Sequence, residues 1–156
     1  MLIYEIPGIE KLELEHVVLD YNGTVAVDGV LVPGVREILN RLSERVTIHV
    51  ITADTFGSAS KSLENVKCRI HIIPEGDQDR AKLDYVVSLG AEKTAAIGNG
   101  RNDILMLEKA RLGICVILRE GAFSGALMKS DIVCRDIIDA LSLFENPLRL
   151  KATLRF

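Results

Sequence analysis

Asp20-Tyr21-Asn22-Gly23-Thr24 follows the apolar run Val17-Val18-Leu19, placing a carboxylate where a strand runs into a glycine–threonine turn. That is the geometry of a nucleophilic aspartate. A buried strand holds the side chain rigidly, Gly23 permits close backbone approach, and Thr24 offers a hydroxyl and an N–H to an anion. The same five residues also suit an ordinary strand-ending turn, since Asp, Asn and Gly are common turn formers. Three further groups bear on the choice. Thr52-Ala53-Asp54 closes the apolar run Val50-Ile51; Thr52 is placed to hydrogen-bond a phosphoryl oxygen, and Asp54 precedes a helix whose N–H groups attract anions or accept a cap. Lys82, in the first turns of the helix after Gly76-Asp77, is placed to neutralise a transferring phosphoryl group; Lys61 competes, nine residues beyond Thr52. Gly98-Asn99-Gly100-Arg101-Asn102-Asp103 turns from a strand into a helix, and Asp103 with Asn99 can hold a divalent cation opposite Asp20. Oxygen donors and retained water favour magnesium. A glycine-rich connection with no ligand is the competing explanation.

These residues need a scaffold that delivers them to one edge. Apolar runs at 2–6, 12–19, 46–51, 68–72, 94–97, 114–117 and 132–134 predict strands. Amphipathic stretches at 34–45, 56–64, 78–89, 102–110, 122–128 and 137–144 predict helices. The alternation predicts an α/β fold, a three-layer doubly wound parallel sheet. Residues 26–34, the least regular stretch, read as a hairpin or flap. Asn146-Pro147 suits a helix start, whereas Leu148, Leu150 and Leu154 alternating with Arg149 and Lys151 also suit a strand, so the segment 146–156 stays open between the two.

With 156 residues the chain is expected to form one domain over 1–156. Its 48% hydrophobic content, with only 4% aromatic residues and no Trp, points to the aliphatic core of a covered parallel sheet. A net charge of −3 without a Lys/Arg run gives no reason to expect nucleic acid or an anionic membrane as partner. Cys68, Cys115 and Cys134 each lie in an apolar segment and are expected to be buried free thiols. No secretory apolar core precedes Glu15, and no stretch is long enough to cross a bilayer, so a cytoplasmic protein is expected.

Taken in order, the motifs resemble those of the haloacid dehalogenase superfamily of phosphohydrolases. Its usual first motif, Asp-x-Asp-Gly-Thr, is Asp20-Tyr21-Asn22-Gly23-Thr24 here. Within the superfamily the sequence is most similar to the phosphorylation domain of P-type ATPases, whose first motif, Asp-Lys-Thr-Gly-Thr, also lacks the second aspartate. Their Thr-Gly-Asp matches Thr52-Ala53-Asp54. Their Gly-Asp-Gly-x-Asn-Asp, followed by Leu-x-x-Ala-x-x-Gly-Ile, matches Gly98 to Asp103 with Leu107, Ala110, Gly113 and Ile114. The likeness covers about residues 20–117. The intervals 20–52 and 52–82 hold too few elements for a cap domain, an ATPase nucleotide-binding domain or membrane helices.

The resemblance implies a magnesium-dependent hydrolase of small phosphorylated substrates working through an aspartyl-phosphate on Asp20. It implies catalytic roles for Asp20, Asn22, Thr52 and Lys82. Phosphate contacts would come from Gly23, Thr24, Thr52, Ala53, Lys82 and Asn102, and metal contacts from Asp20, Asn22 through its carbonyl, Asn99 and Asp103. Two positions depart from the superfamily pattern. Asn22 stands where a carboxyl protonates the leaving group and activates water, and an amide does neither. Asn99 stands where an aspartate binds the metal. Good leaving groups (anhydrides, acyl or aryl phosphates) are therefore expected. A capless sugar-phosphate phosphatase and a catalytically weak phosphate-binding module are the alternatives. A capless site is open to water, so a homo-oligomer shielding it through the flap is also expected.

Overall fold

The structure is a computed structural model and describes every residue except 55 and 56. Two short antiparallel strands, β1 (Leu2–Tyr4) and β2 (Leu12–Leu14), precede β3 (His16–Asp20). Next come the flap strands β4 (Ala26–Val27) and β5 (Val30–Leu31), then α1 (Val35–Leu42), β6 (Thr47–Thr52), α2 (Ser58–Ser62) and β7 (Arg69–Ile72). The chain continues through α3 (Gln78–Leu89), β8 (Thr94–Gly98), α4 (Ile104–Lys109), β9 (Leu112–Val116), α5 (Ser124–Lys129), β10 (Ile132–Cys134), α6 (Ile137–Glu145) and α7 (Pro147–Leu154). β3 and β6–β10 form a six-stranded parallel sheet in the order β10-β9-β8-β3-β6-β7.

Period-two alternation sorts the sheet's side chains between two helical layers. Val17, Leu19, Ile48, Val50, Ala95, Ile97, Ile114 and Val116 pack with α1, α6 and α7 residues such as Leu39, Leu141 and Leu150. Val18, Ile51, Ala96 and Cys115 pack on the other face with Val86 of α3 and with Met106 and Leu107 of α4. Each fully buried aliphatic side chain contributes about 1.5–3 kcal/mol. Asp20 shares the parity of Val18, so the same alternation turns it toward the α3 layer.

The order of the sheet also locates a ligand site. After β3 the chain builds outward through β6 and β7, then returns to the other side of β3 with β8. This reversal opens a crevice between the carboxyl ends of β3 and β8, where open α/β sheets bind ligands. Asp20 ends β3 and Gly98 ends β8.

Several expected boundaries move. The single strand over 12–19 is two strands, because Glu15 leaves the β1–β2 pair: its N–H bonds Lys93 O at 2.8 Å and its carbonyl accepts from Thr47 N at 2.9 Å. Gly34 at φ +90° delays α1 to Val35. The expected helix start at residue 56 lies outside the described residues, and α2 begins at Ser58. A 3-10 turn over Arg101–Asp103 precedes α4. The tail is a helix, with Pro147 in its first turn; Leu150 is buried, Leu154 shares its face one turn on, and Leu148 points to solvent. The flap is a two-residue hairpin, with Asp28 at φ 51° and Gly29 at φ 78°. Two successive positive φ values are what an Asp-Gly turn accommodates in a twisted hairpin.

Candidate active site

Asp20, Asn22, Thr52, Ala53, Asp54, Lys82, Asn99 and Asn102 line one cleft of about 400 Å³ at the carboxyl ends of the strands. Gln78, Ser58 and Glu120 line it as well, and none of these three was foreseen from the sequence. A hollow of about 700 Å³ at the amino ends of the strands, lined by Met1, Glu15, Arg45 and Arg69 among others, contains none of the motif residues.

Lys82 is the centre of the cleft's charge. It sits on the inward stripe of α3, one turn before Val86, and is only 1% exposed. Its Nζ donates to Asp20 Oδ1 and to Asp103 Oδ1, both at 2.7 Å. Lys82, rather than Lys61, makes this contact. The remaining Asp103 oxygen, Oδ2, accepts the N–H groups of Asn99 at 2.9 Å and Gly100 at 2.8 Å. Gly98 must be a glycine: a Cβ there would lie 2.5 Å from Asp103 Cγ. Asp103 thus braces both Lys82 and the β8–α4 turn.

Two carboxylates share one ammonium in a buried space. Burial first, and the Asp103 charge second, raise the Asp20 carboxyl to about 7, against the lowering pull of Lys82 and of Thr24. Burial works to lower Lys82, but Asp20 and Asp103 outweigh it and hold the ammonium above its ordinary value. Lys82→Met would strand both carboxylates without a cation. We expect it to lose about 3–5 kcal/mol, the usual result of removing one partner from a buried ion pair. Urea unfolding in EDTA at pH 8 measures the loss, and adding Asp103→Asn should recover part of it. A midpoint matching wild type would show that Lys82 does not carry this charge.

Thr24 Oγ1 donates to Asp20 Oδ2 at 3.1 Å and lies 3.4 Å from Asn99 Oδ1. Gly23 takes φ +82°, and a Cβ there would fall 1.9 Å from Glu120 Oε1. Asn22 lines the cleft, but its Oδ1 accepts the flap's Gly29 N–H at 3.0 Å, while Tyr21 Oη donates to Gly29 O at 2.9 Å. Asp54 accepts from Ala59 N at 3.0 Å, Ser60 N at 3.3 Å and Ser58 Oγ at 3.2 Å, so it caps α2. Some desolvation opposes these bonds, yet they lower its carboxyl. Asn102 Nδ2 donates to Gln78 Oε1 at 2.8 Å, tying the β8–α4 turn to the start of α3.

The donor set fits a hard divalent cation. Asp20 Oδ2 and Asn99 Oδ1 both face the Thr24 hydroxyl, bringing a carboxyl and an amide oxygen together, and Asp103 Oδ1 on Lys82 adds a second carboxyl group to the site. Among the described residues no group of three or more His, Cys, Asp or Glu is gathered for a metal. Such a sparse oxygen set suits magnesium, which keeps several waters. None of the three histidines lines the cleft; His49 is buried between His16 Nδ1 at 3.1 Å and Tyr85 Oη at 2.8 Å. Burial and then the nearby His16 push His49 down to about 4, so it is a neutral element of the core.

Known proteins agree with this architecture. The chain is 52% identical over 84 residues to an uncharacterized protein of Methanocaldococcus jannaschii, covering 51% of this chain and 90% of that protein. A subfamily III A haloacid dehalogenase hydrolase structure from Legionella pneumophila superposes with a TM-score of 0.72 at 14% identity, over 92% of this chain and 88% of that one. The 3-deoxy-D-manno-octulosonate 8-phosphate phosphatase of Moraxella catarrhalis, described with magnesium, phosphate and its sugar acid, gives a TM-score of 0.71 at 16% identity, over 91% and 94%. At these identities the two structures speak for a shared fold. Residues 35–117, more than half of the 156, match the haloacid dehalogenase-like hydrolases directly, and the chain belongs to that family.

Proposed function

We propose that the protein is a magnesium-dependent phosphohydrolase in which Asp20 is the nucleophile. The observation that carries this reading is the buried Asp20–Lys82–Asp103 cluster at the switch point of the sheet. An Asp20 oxygen attacks phosphorus in line, the bond to the leaving oxygen breaks, and the leaving group departs with that electron pair. Lys82 and Thr52 balance the charge on the transferring oxygens; the N–H groups of Gly23 and Thr24, expected to share in this, donate instead to Ala26 O at 2.7 Å and Tyr21 O at 3.2 Å. Asn102 holds the neighbouring turn in place. Water then attacks the phosphorus of the aspartyl-phosphate, releasing phosphate and the Asp20 carboxylate. Asp20, Asn99, the carbonyl of Asn22 and the Asp103 side would hold the cation, whose bound charge favours the ionised nucleophile and the crowded phosphoryl oxygens.

Asn22 lacks a transferable proton, so leaving groups that depart as stable anions are favoured: anhydrides, acyl phosphates and aryl phosphates. Only the flap and α1 lie between Asp20 and Thr52, and only α2 and β7 between Thr52 and Lys82 among the described residues. A cover for the cleft must then come from elsewhere, and a second copy presenting its flap is part of this proposal. The Moraxella enzyme's likeness favours a sugar-phosphate phosphatase as the second reading.

Purified protein assayed on p-nitrophenyl phosphate, acetyl phosphate, ATP and a sugar-phosphate panel tests both. Magnesium-dependent turnover abolished by EDTA, with a phosphoryl adduct trapped on Asp20, is the expected result. Turnover confined to sugar phosphates would select the second reading. No turnover on any substrate, with or without magnesium, would leave a phosphate-binding module.

A further inference from the structure

Glu120 is exposed as a residue, yet its carboxylate enters the cleft and touches the candidate cation site through one neighbour. Asn99 Nδ2 donates to Glu120 Oε1 at 2.9 Å and to the Gly121 carbonyl at 3.1 Å. Both partners only accept hydrogen bonds, so together they fix which end of the amide is nitrogen. The Asn99 oxygen is thereby turned toward Thr24 and Asp20. Thr24 has a single hydroxyl hydrogen, and its shorter contact, 3.1 Å against 3.4 Å, is with Asp20. Asn99 Oδ1 therefore keeps its acceptor capacity facing the nucleophile.

The first turn is shaped around the same pair. A Cβ on Gly23 would lie 1.9 Å from Glu120 Oε1 and 2.5 Å from Asn99 Nδ2. With φ at +82° as well, the position favours glycine, which lets the loop carrying Asp20 close over this contact without displacing either side chain.

We propose that Glu120 is a positioning residue for the cation site, supplying through Asn99 the negative charge that an amide ligand lacks. A carboxylate accepting from Nδ2 orients the amide and pushes electron density onto Oδ1. It acts as outer carboxylates do on the ligands they hold. It also brings an anion close to the cation without spending a ligand position. The inference rests on the magnesium reading above.

Calorimetric titration of substrate-free protein with Mg²⁺ tests it without using activity. Glu120→Gln keeps the size and an oxygen acceptor but removes the charge, and should weaken the magnesium dissociation constant about 10–100-fold. Its unfolding midpoint in EDTA should match wild type. Asn99→Asp added to Glu120→Gln puts the charge on residue 99 itself, where one oxygen can accept from the amide introduced at position 120 although it also faces the Gly121 carbonyl; it should still bind magnesium more tightly than Glu120→Gln alone. Equal affinity for wild type and Glu120→Gln overturns the inference while leaving the magnesium reading intact. A double variant no tighter than Glu120→Gln overturns it too, because the charge then does not act through residue 99. Wild-type protein that takes up no Mg²⁺ overturns both.

Discussion

Asp20→Asn is expected to lower turnover by roughly 10⁴-fold or more, on the scale seen when a nucleophile is deleted, while leaving the fold intact. The substitution is nearly isosteric, and its oxygen can still accept from Lys82. Its effect on stability separates a functional carboxylate from a structural one. The cluster of Asp20, Asp103 and Lys82 holds two acids and one base in a buried space. The amide would leave Lys82 paired with Asp103 alone, a balanced pair. The pH dependence follows from the raised Asp20 carboxyl, about 7 in the fold against 3.8 ordinarily. Between those values the folded protein binds more protons than the unfolded chain, so stability falls as pH rises through this window. Asp20→Asn removes that decline. In EDTA, wild type should therefore lose stability relative to Asp20→Asn between pH 5 and pH 8, as read from urea midpoints. A parallel pH dependence in the two proteins would contradict the raised carboxyl. Retention of more than a small fraction of turnover would remove Asp20 as nucleophile.

The strand ends were legible in the sequence because a covered parallel sheet writes itself as short aliphatic runs, and ligands gather where those runs stop. Asp20, Thr52 and Gly98 could be placed that way, and each ends a strand of the sheet. The burial of Lys82 was not legible: in sequence it is one more helix lysine, and only the packing of α3 against β8, the β8–α4 turn and α4 shows it on the inward stripe. The break at Glu15 left no signal either. The chain changes sheets there without glycine or proline, because its backbone groups transfer directly to Lys93 and Thr47. Glu120 escaped for a different reason. It follows β9 on an irregular loop, outside any motif, and reaches Asn99 across 21 residues of sequence. Contacts of that kind carry no periodicity. The ambiguity of the tail had a physical root as well: Leu148 breaks the helical face that Leu150 and Leu154 define, and Pro147 decided the outcome by suiting a first turn.

Asn22→Asp is expected to raise turnover on alkyl phosphate monoesters by about 10²–10⁴-fold, the usual worth of general acid–base help. Alkoxide leaving groups need a proton, and the wild-type amide has none to give. Position 22 suits a proton donor, since it stands two residues after Asp20, lines the cleft and is exposed to it. The substitution should cost little stability, because one aspartate oxygen can keep the 3.0 Å bond from Gly29 N–H and leave the other free for chemistry. That same bond favours the ionised carboxylate, which helps activate water for the second step and slightly opposes proton donation in the first. p-Nitrophenyl phosphate sheds its leaving group as a stable anion, so its first step should gain much less. Burst kinetics then divide the effects. Faster release of phosphate from the aspartyl-phosphate reports water activation, whereas a gain confined to alkyl substrates reports proton donation. The added charge also draws the cation more tightly, so both substrates must be compared at saturating magnesium. Equal gains on the two substrates in single-turnover experiments, or none on either, would show that Asn22 is not what restricts the protein to good leaving groups.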